Sequence, residues 1–293
     1  MKKVITMKMV EQYQNYLREE EKSQATIEKY TRDLKKLFDY MDGREITKSL
    51  MIDYKNSLLS GGEYQVSSIN SYLVAANRYF EYLGWYEVRV KTLKIQKEAF
   101  CSEKKYLTKQ EYKRLVRTAG KQKKRRIAMI LQTICATGIR ISELSFVTVS
   151  AVRKGSMEIR CKGKIRQVLF PTKLQTALLL YVKLEGIDHG VVFRTINGNP
   201  VNRSNVWKEM KALCKEAEVE EEKVFPHNLR HLFAQEFYEI KKDIAKLADV
   251  LGHSNIETTS YGLHPVFHNR FDLQMSYTHP SLPADISQRY HSL

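Results

Sequence analysis

Two arginines, a lysine and two histidines, spread over four short segments, are the residues whose types and local spacing suggest chemistry. In Ala136-Thr137-Gly138-Ile139-Arg140-Ile141-Ser142-Glu143-Leu144, an apolar helix stops at Gly138 and Arg140 stands where the chain emerges. Arginine there either caps the preceding carbonyls or uses its planar fork to grip two phosphate oxygens. The turn Lys162-Gly163-Lys164 carries either solvent-facing lysines or a mobile ammonium that serves as a general acid. In Pro226-His227-Asn228-Leu229-Arg230-His231, proline at a helix start sets His227 and Arg230 one turn apart on the same face. In Leu251-Gly252-His253-Ser254-Asn255-Ile256-Glu257-Thr258-Thr259, Gly252 ends one helix and Ser254 caps the next. His253 is left in the bend, where a lone histidine is also a common structural element. The five contain no carboxylate pair and no metal-ligand spacing. As a set they suit a site that stabilises a phosphate transition state by fixed positive charge and donors, without a metal. A tyrosine is the missing nucleophile.

The elements that must position these residues fall into two regions. Over the first ninety or so residues, apolar side chains recur at helical spacing in three stretches. They are Ser23 to Met41 (Ile27, Tyr30, Leu34, Leu37, Phe38, with Thr26 as N-cap), Thr47 to Gly61-Gly62 (Leu50, Met51, Tyr54, Leu58), and a stretch from about Ser67 to Gly84 (Ile69, Leu73, Ala76, Phe80, Leu83). From Glu87 to Lys105 the periodicity fades and lysines accumulate, as in a basic linker. Thr108-Lys109-Gln110-Glu111 is a capping box that announces a new helix and a new domain. The run Lys121-Gln122-Lys123-Lys124-Arg125-Arg126 is either a solvated loop or a clamp on a nucleic-acid backbone. Beyond it come an almost wholly apolar helix at Ile127–Thr137 and two strands, Met157–Cys161 and Ile165–Phe170, around the Lys162-Gly163-Lys164 turn. Helices return at Leu174–Leu184 and Val206–Glu218, with a turn at Asn197-Gly198 between them.

Composition narrows the partners. The 293 residues include 49 Lys plus Arg against 33 Asp plus Glu, a formal net charge of +16. A polyanion is the natural partner of such a chain, because neutralising phosphates releases condensed counterions. No apolar stretch is long enough to span a bilayer, and the polar-interrupted N-terminus does not read as a signal peptide. Cys101, Cys135, Cys161 and Cys214 show neither CxxC nor zinc spacing, as expected of reduced thiols in a cytoplasmic protein.

ATGIRISEL, the CKGK turn, HNLRH and LGHSNIETT, in this order, resemble the catalytic boxes of the tyrosine recombinase and phage integrase family, nearest its Xer-like bacterial members. The resemblance implies a mainly α, SAM-like core-binding domain over residues 1–95, a basic linker over 96–105, and an α+β catalytic domain of the DNA breaking-rejoining type with a small antiparallel sheet over 106–259. It implies that Arg140 and Arg230 hold the scissile phosphate, His227 assists proton transfer, Lys162 protonates the leaving 5′-hydroxyl and His253 contacts a non-bridging oxygen. Glu143 matches the acidic position that supports this geometry. The family closes a C-shaped clamp on duplex DNA and cuts through a 3′-phosphotyrosyl intermediate, which conserves the phosphodiester energy for resealing. The expected partner is a double-stranded recombination site bound by a homotetramer or dimer of dimers, with no cofactor, metal or membrane.

The resemblance weakens in an atypical tail, residues 260–293. In the family the nucleophile follows the second histidine by about nine positions, but that count from His253 reaches Gly262, and Tyr261 stands one position early. On a continuous helix one residue rotates a side chain by roughly 100°. Tyr277, in Ser276-Tyr277-Thr278-His279, has the more familiar local context but lies far downstream. From Thr258 onward there is no lysine or glutamate, while half of the chain's prolines and half of its histidines fall here. Tyr261 is the expected nucleophile. The tail is either a lineage-specific segment or the product of a reading-frame change after about Thr259. The rival functions are an integrase remnant that only binds DNA, and a topoisomerase with the same chemistry.

Overall fold

The computed structural model describes residues 3–94, 105–161, 164–252 and Thr259. Most of the expected linker and the tail 260–293 lie outside the described residues. Two compact units are present, Met1–Glu98 and Ala99–Leu293.

The first unit is helical: α1 (Met7–Glu19), α2 (Gln24–Met41), α3 (Lys48–Ser60) and α4 (Val66–Tyr82). The three helices expected from periodicity are α2, α3 and α4, with one shift in capping. Ser23, not Thr26, caps α2, because the Ser23 hydroxyl accepts the Thr26 amide three residues on. Helix α1 was not expected. It buries Val10, Tyr13 and Leu17 along one face behind a Thr6 cap, a pattern the short lysine-rich start conceals. The faces close on a core that includes Leu37, Met51, Tyr54, Leu73, Tyr79 and Phe80. The aperiodic stretch after Glu87 is nevertheless fixed. Asn77 donates to the Val90 carbonyl and accepts its amide, and Asn70 does the same with Leu93. Each carboxamide supplies the donor–acceptor pair that a neighbouring strand would supply.

The second unit is built on α6 (Arg125–Thr137), buried at eight of its positions. Around it pack α5 (Lys109–Lys121), α8 (Thr172–Leu184), α9 (Arg203–Lys211) and α11 (Pro226–Lys241). The capping box forms as spelled: the Thr108 hydroxyl accepts the Glu111 amide, and the Glu111 carboxylate accepts the Thr108 amide. Helix α7 (Val149–Lys154) leads into the antiparallel strands β1 (Ser156–Cys161) and β2 (Lys164–Leu169), in register from Ser156 opposite Leu169 to Cys161 opposite Lys164. The single helix expected over Val206–Glu218 is instead two, α9 and a short α10 (Cys214–Ala217). The break at Ala212–Leu213 lets the adjacent residues Leu213 and Cys214 both enter the core. Helix α12 (Ile244–Leu251) ends at Gly252, in the left-handed region with φ of +65°. No helix among the described residues is long and apolar enough to cross a membrane.

Candidate active site

The site forms where the C-terminal ends of α6 and α12 meet the start of α11. Helix α6 ends at Gly138, with φ of +64°; a Cβ there would come within 2.3 Å of Phe233 Cδ1, so glycine is required both by backbone and by space. Pro226 opens α11 and places His227 and Arg230 in its first two turns. Asn228, buried beside them, holds this helix start by donating to the carbonyls of Lys105 and Lys223.

Arg230 is 4% exposed. It donates to the carbonyl of Gly138 at 2.6 Å and to that of Leu251 at 2.6 Å, the C-terminal ends of α6 and α12. Both acceptors lie at the negative ends of helix dipoles, which favour a cation. A guanidinium has five N–H donors, enough for two carbonyls and a phosphate oxygen. Burial first, then the charges of Arg140 and Arg166, push Arg230 down to about 9, which leaves it cationic at neutral pH.

Arg140 does not cap the α6 carbonyls; Arg230 does. Instead Arg140 opens a 3₁₀ turn, Ile141–Phe146, and its side chain stays 41% exposed while its guanidinium donates to Glu143 at 3.1 Å. The other oxygen of the buried Glu143 accepts the Arg140 backbone amide at 2.7 Å and Arg166 Nη2 at 2.6 Å. Glu143 therefore fixes Arg140 at both backbone and side chain and leaves the fork turned partly to solvent.

His227 lies at the surface of this cluster. Partial burial, then Arg230 and Arg140, lower its pKa from the ordinary value of 6.5, so the imidazole is neutral at neutral pH. Its ring packs edge-on against His231 at 4.3 Å between centroids, and His231 in turn meets Tyr106 at 5.5 Å. Two guanidinium groups and a neutral imidazole, electrically coupled to one another, make an anion-binding site with a proton acceptor at its edge. No group of three or more His, Cys, Asp or Glu side chains that could hold a metal ion occurs among the described residues.

Of the six expected catalytic residues, the structure thus brings together Arg140, His227 and Arg230. Lys162, His253 and Tyr261 lie outside the described residues; Lys162 falls in the sequence between the ends of β1 and β2, and His253 directly follows Gly252. Sequence reasoning missed Arg166, which touches Glu143 and α12, and the packing of His231 on His227. The inward-facing register of Arg166 in a half-buried strand was the available signal for the first. The basic run at 121–126 divides. Arg126 donates to Glu209 at 2.7 Å and to the Arg194 carbonyl, and Arg125 pairs with Glu185 at 3.5 Å, whereas Lys121, Lys123 and Lys124 are exposed.

Residues 105–268 match the phage integrase family, and residues 10–87 match the phage integrase N-terminal SAM-like domain. The first match extends past Thr259 and includes Tyr261. The chain is 30% identical over 266 residues to the tyrosine recombinase XerA of Pyrococcus furiosus, covering 88% of this chain and 89% of the relative. It is also 30% identical over 270 residues to the tyrosine recombinase XerD of Halalkalibacterium halodurans, covering 83% and 87%. In fold it is similar to a lambda integrase tetramer bound to a Holliday junction, with a TM-score of 0.72 at 15% identity over 94% of this chain and 81% of the other. It is likewise similar to the XerH site-specific recombinase bound to its difH substrate, with a TM-score of 0.67 at 18% identity over 92% and 84%. With one family model spanning more than half of its length and relatives this similar over most of it, the chain belongs to the phage integrase family, that of the tyrosine recombinases.

Proposed function

We propose that this protein is a site-specific recombinase that cleaves and rejoins duplex DNA through a 3′-phosphotyrosyl intermediate. The observation that carries the reading is the Arg140–Glu143–Arg230–His227 cluster: two cations held by a buried carboxylate and two helix-end carbonyls, with a neutral imidazole at their edge. Arg140 and Arg230 neutralise the non-bridging oxygens of the scissile phosphate as charge builds in the transition state. The Tyr261 hydroxyl attacks phosphorus, His227 accepts its proton, and the bond to the 5′-oxygen breaks. Lys162 protonates that leaving oxygen, and His253 hydrogen-bonds a non-bridging oxygen. Attack by the 5′-hydroxyl of another strand reverses the step and frees the tyrosine, so no nucleotide cofactor is consumed.

The domain limits of this reading are a core-binding domain at 1–95, a linker at 96–105, a catalytic domain at 106–259 and a tail at 260–293. The division between compact units at Glu98 and Ala99 falls within that linker and supports it. The protein acts in the cytoplasm on a double-stranded recombination site, as a homotetramer or dimer of dimers; the relatives of similar fold include a lambda integrase tetramer on a Holliday junction. A net charge of +16 supports a large, salt-sensitive phosphate contribution to binding.

Covalent trapping tests the proposal. The full chain is mixed with nicked duplexes from the ends of its own genetic element, denatured, and the DNA-linked peptide mapped by mass. An adduct on Tyr261 is expected. An adduct on Tyr277 would reassign the nucleophile, and tight DNA binding without any adduct would sink cleavage and leave a protein that only binds DNA.

A further inference from the structure

Strand β2 presents Ile165 and Gln167 outward and Arg166 and Val168 inward. An arginine on the inward face of a two-stranded sheet needs a partner or a function. Arg166, 14% exposed at its side chain, reaches partners on two different segments among the described residues. Its Nη2 donates to Glu143 Oε2 at 2.6 Å, and its Nη1 donates to the Val250 carbonyl near the end of α12 at 2.6 Å. The next turn of chain lies against its stem: a Cβ on Gly252 would come within 2.8 Å of Arg166 Cδ and 3.0 Å of Nε. The carboxylate that Arg166 holds is the one that fixes Arg140.

We infer that Arg166 is a positioning residue that sets three parts of the active site relative to one another. It does so through the Arg140 turn by way of Glu143, through the end of α12 that leads directly into His253, and through the hairpin strand that follows Lys162. This rests on the recombinase reading above. Charge neutralisation of Glu143 alone would need one cation at one distance, which a lysine supplies. Linking a carboxylate on one segment to a carbonyl on another needs a rigid planar fork, which an ammonium on a flexible stem does not reproduce. Small errors in such a frame are expensive, since a misplacement of about 1 Å at reacting groups costs on the order of a hundredfold in rate.

The test compares the full chain with Arg166→Lys in three measurements: single-turnover cleavage of a nicked duplex at saturating DNA, equilibrium DNA affinity, and backbone hydrogen exchange over 140–146 and 247–252. For Arg166→Lys the expected result is DNA affinity within about twofold of the parent, cleavage at saturation down by about a hundredfold, and faster exchange in both segments together. Cleavage at the parental rate would overturn the inference, because lysine would then have rescued a simple charge role. So would a loss of cleavage no greater than the loss of affinity or of folded protein. If the parent chain forms no adduct, the recombinase reading fails by itself. The exchange measurement then decides the tether: coordinated loosening of both segments supports it, and unchanged exchange in either removes it.

Discussion

Arg230 and Gly138 stand 92 positions apart in sequence, yet the guanidinium of one donates to the carbonyl of the other at 2.6 Å. A second bond to the Leu251 carbonyl makes Arg230 the point at which α6, α11 and α12 are joined. Lysine cannot span both carbonyls. For Arg230→Lys we expect the loss of at least one charge-assisted bond, about 1.5–3 kcal/mol of stability, and a fall in single-turnover cleavage of at least about tenfold. Chemical denaturation and trapping of the covalent adduct measure the two; a variant with parental stability and rate would refute the join.

Gly138 and Gly43 separate backbone strain from lack of space. Both have positive φ, +64° and +71°, but a Cβ on Gly43 meets nothing within 4 Å, whereas one on Gly138 meets Phe233. Gly43→Ala is expected to cost about 1–2 kcal/mol, from left-handed strain alone. Gly138→Ala should add about 1–3 kcal/mol of overpacking and turn aside the carbonyl that holds Arg230. Thermal unfolding checks the order, and equal losses for the two would show that Phe233 gives way freely.

The lowered pKa of His227 sets a pH window. Its folded value lies below the unfolded 6.5, so the stability it contributes is fully present above pH 6.5 and is lost as pH falls through the folded value. The neutral imidazole is also the form that accepts a proton. Cleavage at subsaturating DNA, which reports the ionisations of the free protein, should therefore hold its rate as pH falls to 6.5 and decline only below it, with that acid limb absent in His227→Gln. A pH–rate profile that already falls above 6.5 would contradict the assignment.

Cys135, half-buried on α6, and Cys214, buried in the core at the start of α10, are free thiols. Burial first, then the Glu236 charge, pushes Cys135 up to about 12, and burial raises Cys214 as well. Reactivity needs the thiolate. Neither should be alkylated by iodoacetamide in the native protein at pH 8, and both should be alkylated in urea, as read by peptide mass. Rapid native labelling of Cys214 would show that its segment opens, and rapid labelling of Cys135 would show that its thiolate is populated in the folded protein.

The sequence by itself determined those features whose partners are near neighbours along the chain. The Thr108–Glu111 capping box, the helical spacing of α2 to α4, the stop at Gly138 and the His227–Arg230 turn all follow from bonds and periodicities within a few residues. Helix α1 belongs to this class too, since Val10, Tyr13 and Leu17 carry its period, although the lysines at the start of the chain mask it. What only the tertiary structure decided is which arginine does which task. Both Arg140 and Arg230 were candidates for gripping phosphate, but a choice between capping and presenting a fork depends on acceptors brought from elsewhere. Glu143 and Arg166 are 23 positions apart, and Arg166 and the Val250 carbonyl 84. No local pattern encodes such pairs, because they exist only once the packing of α6, α11, α12 and the hairpin has excluded water and left each buried charge to find its partner within the fold.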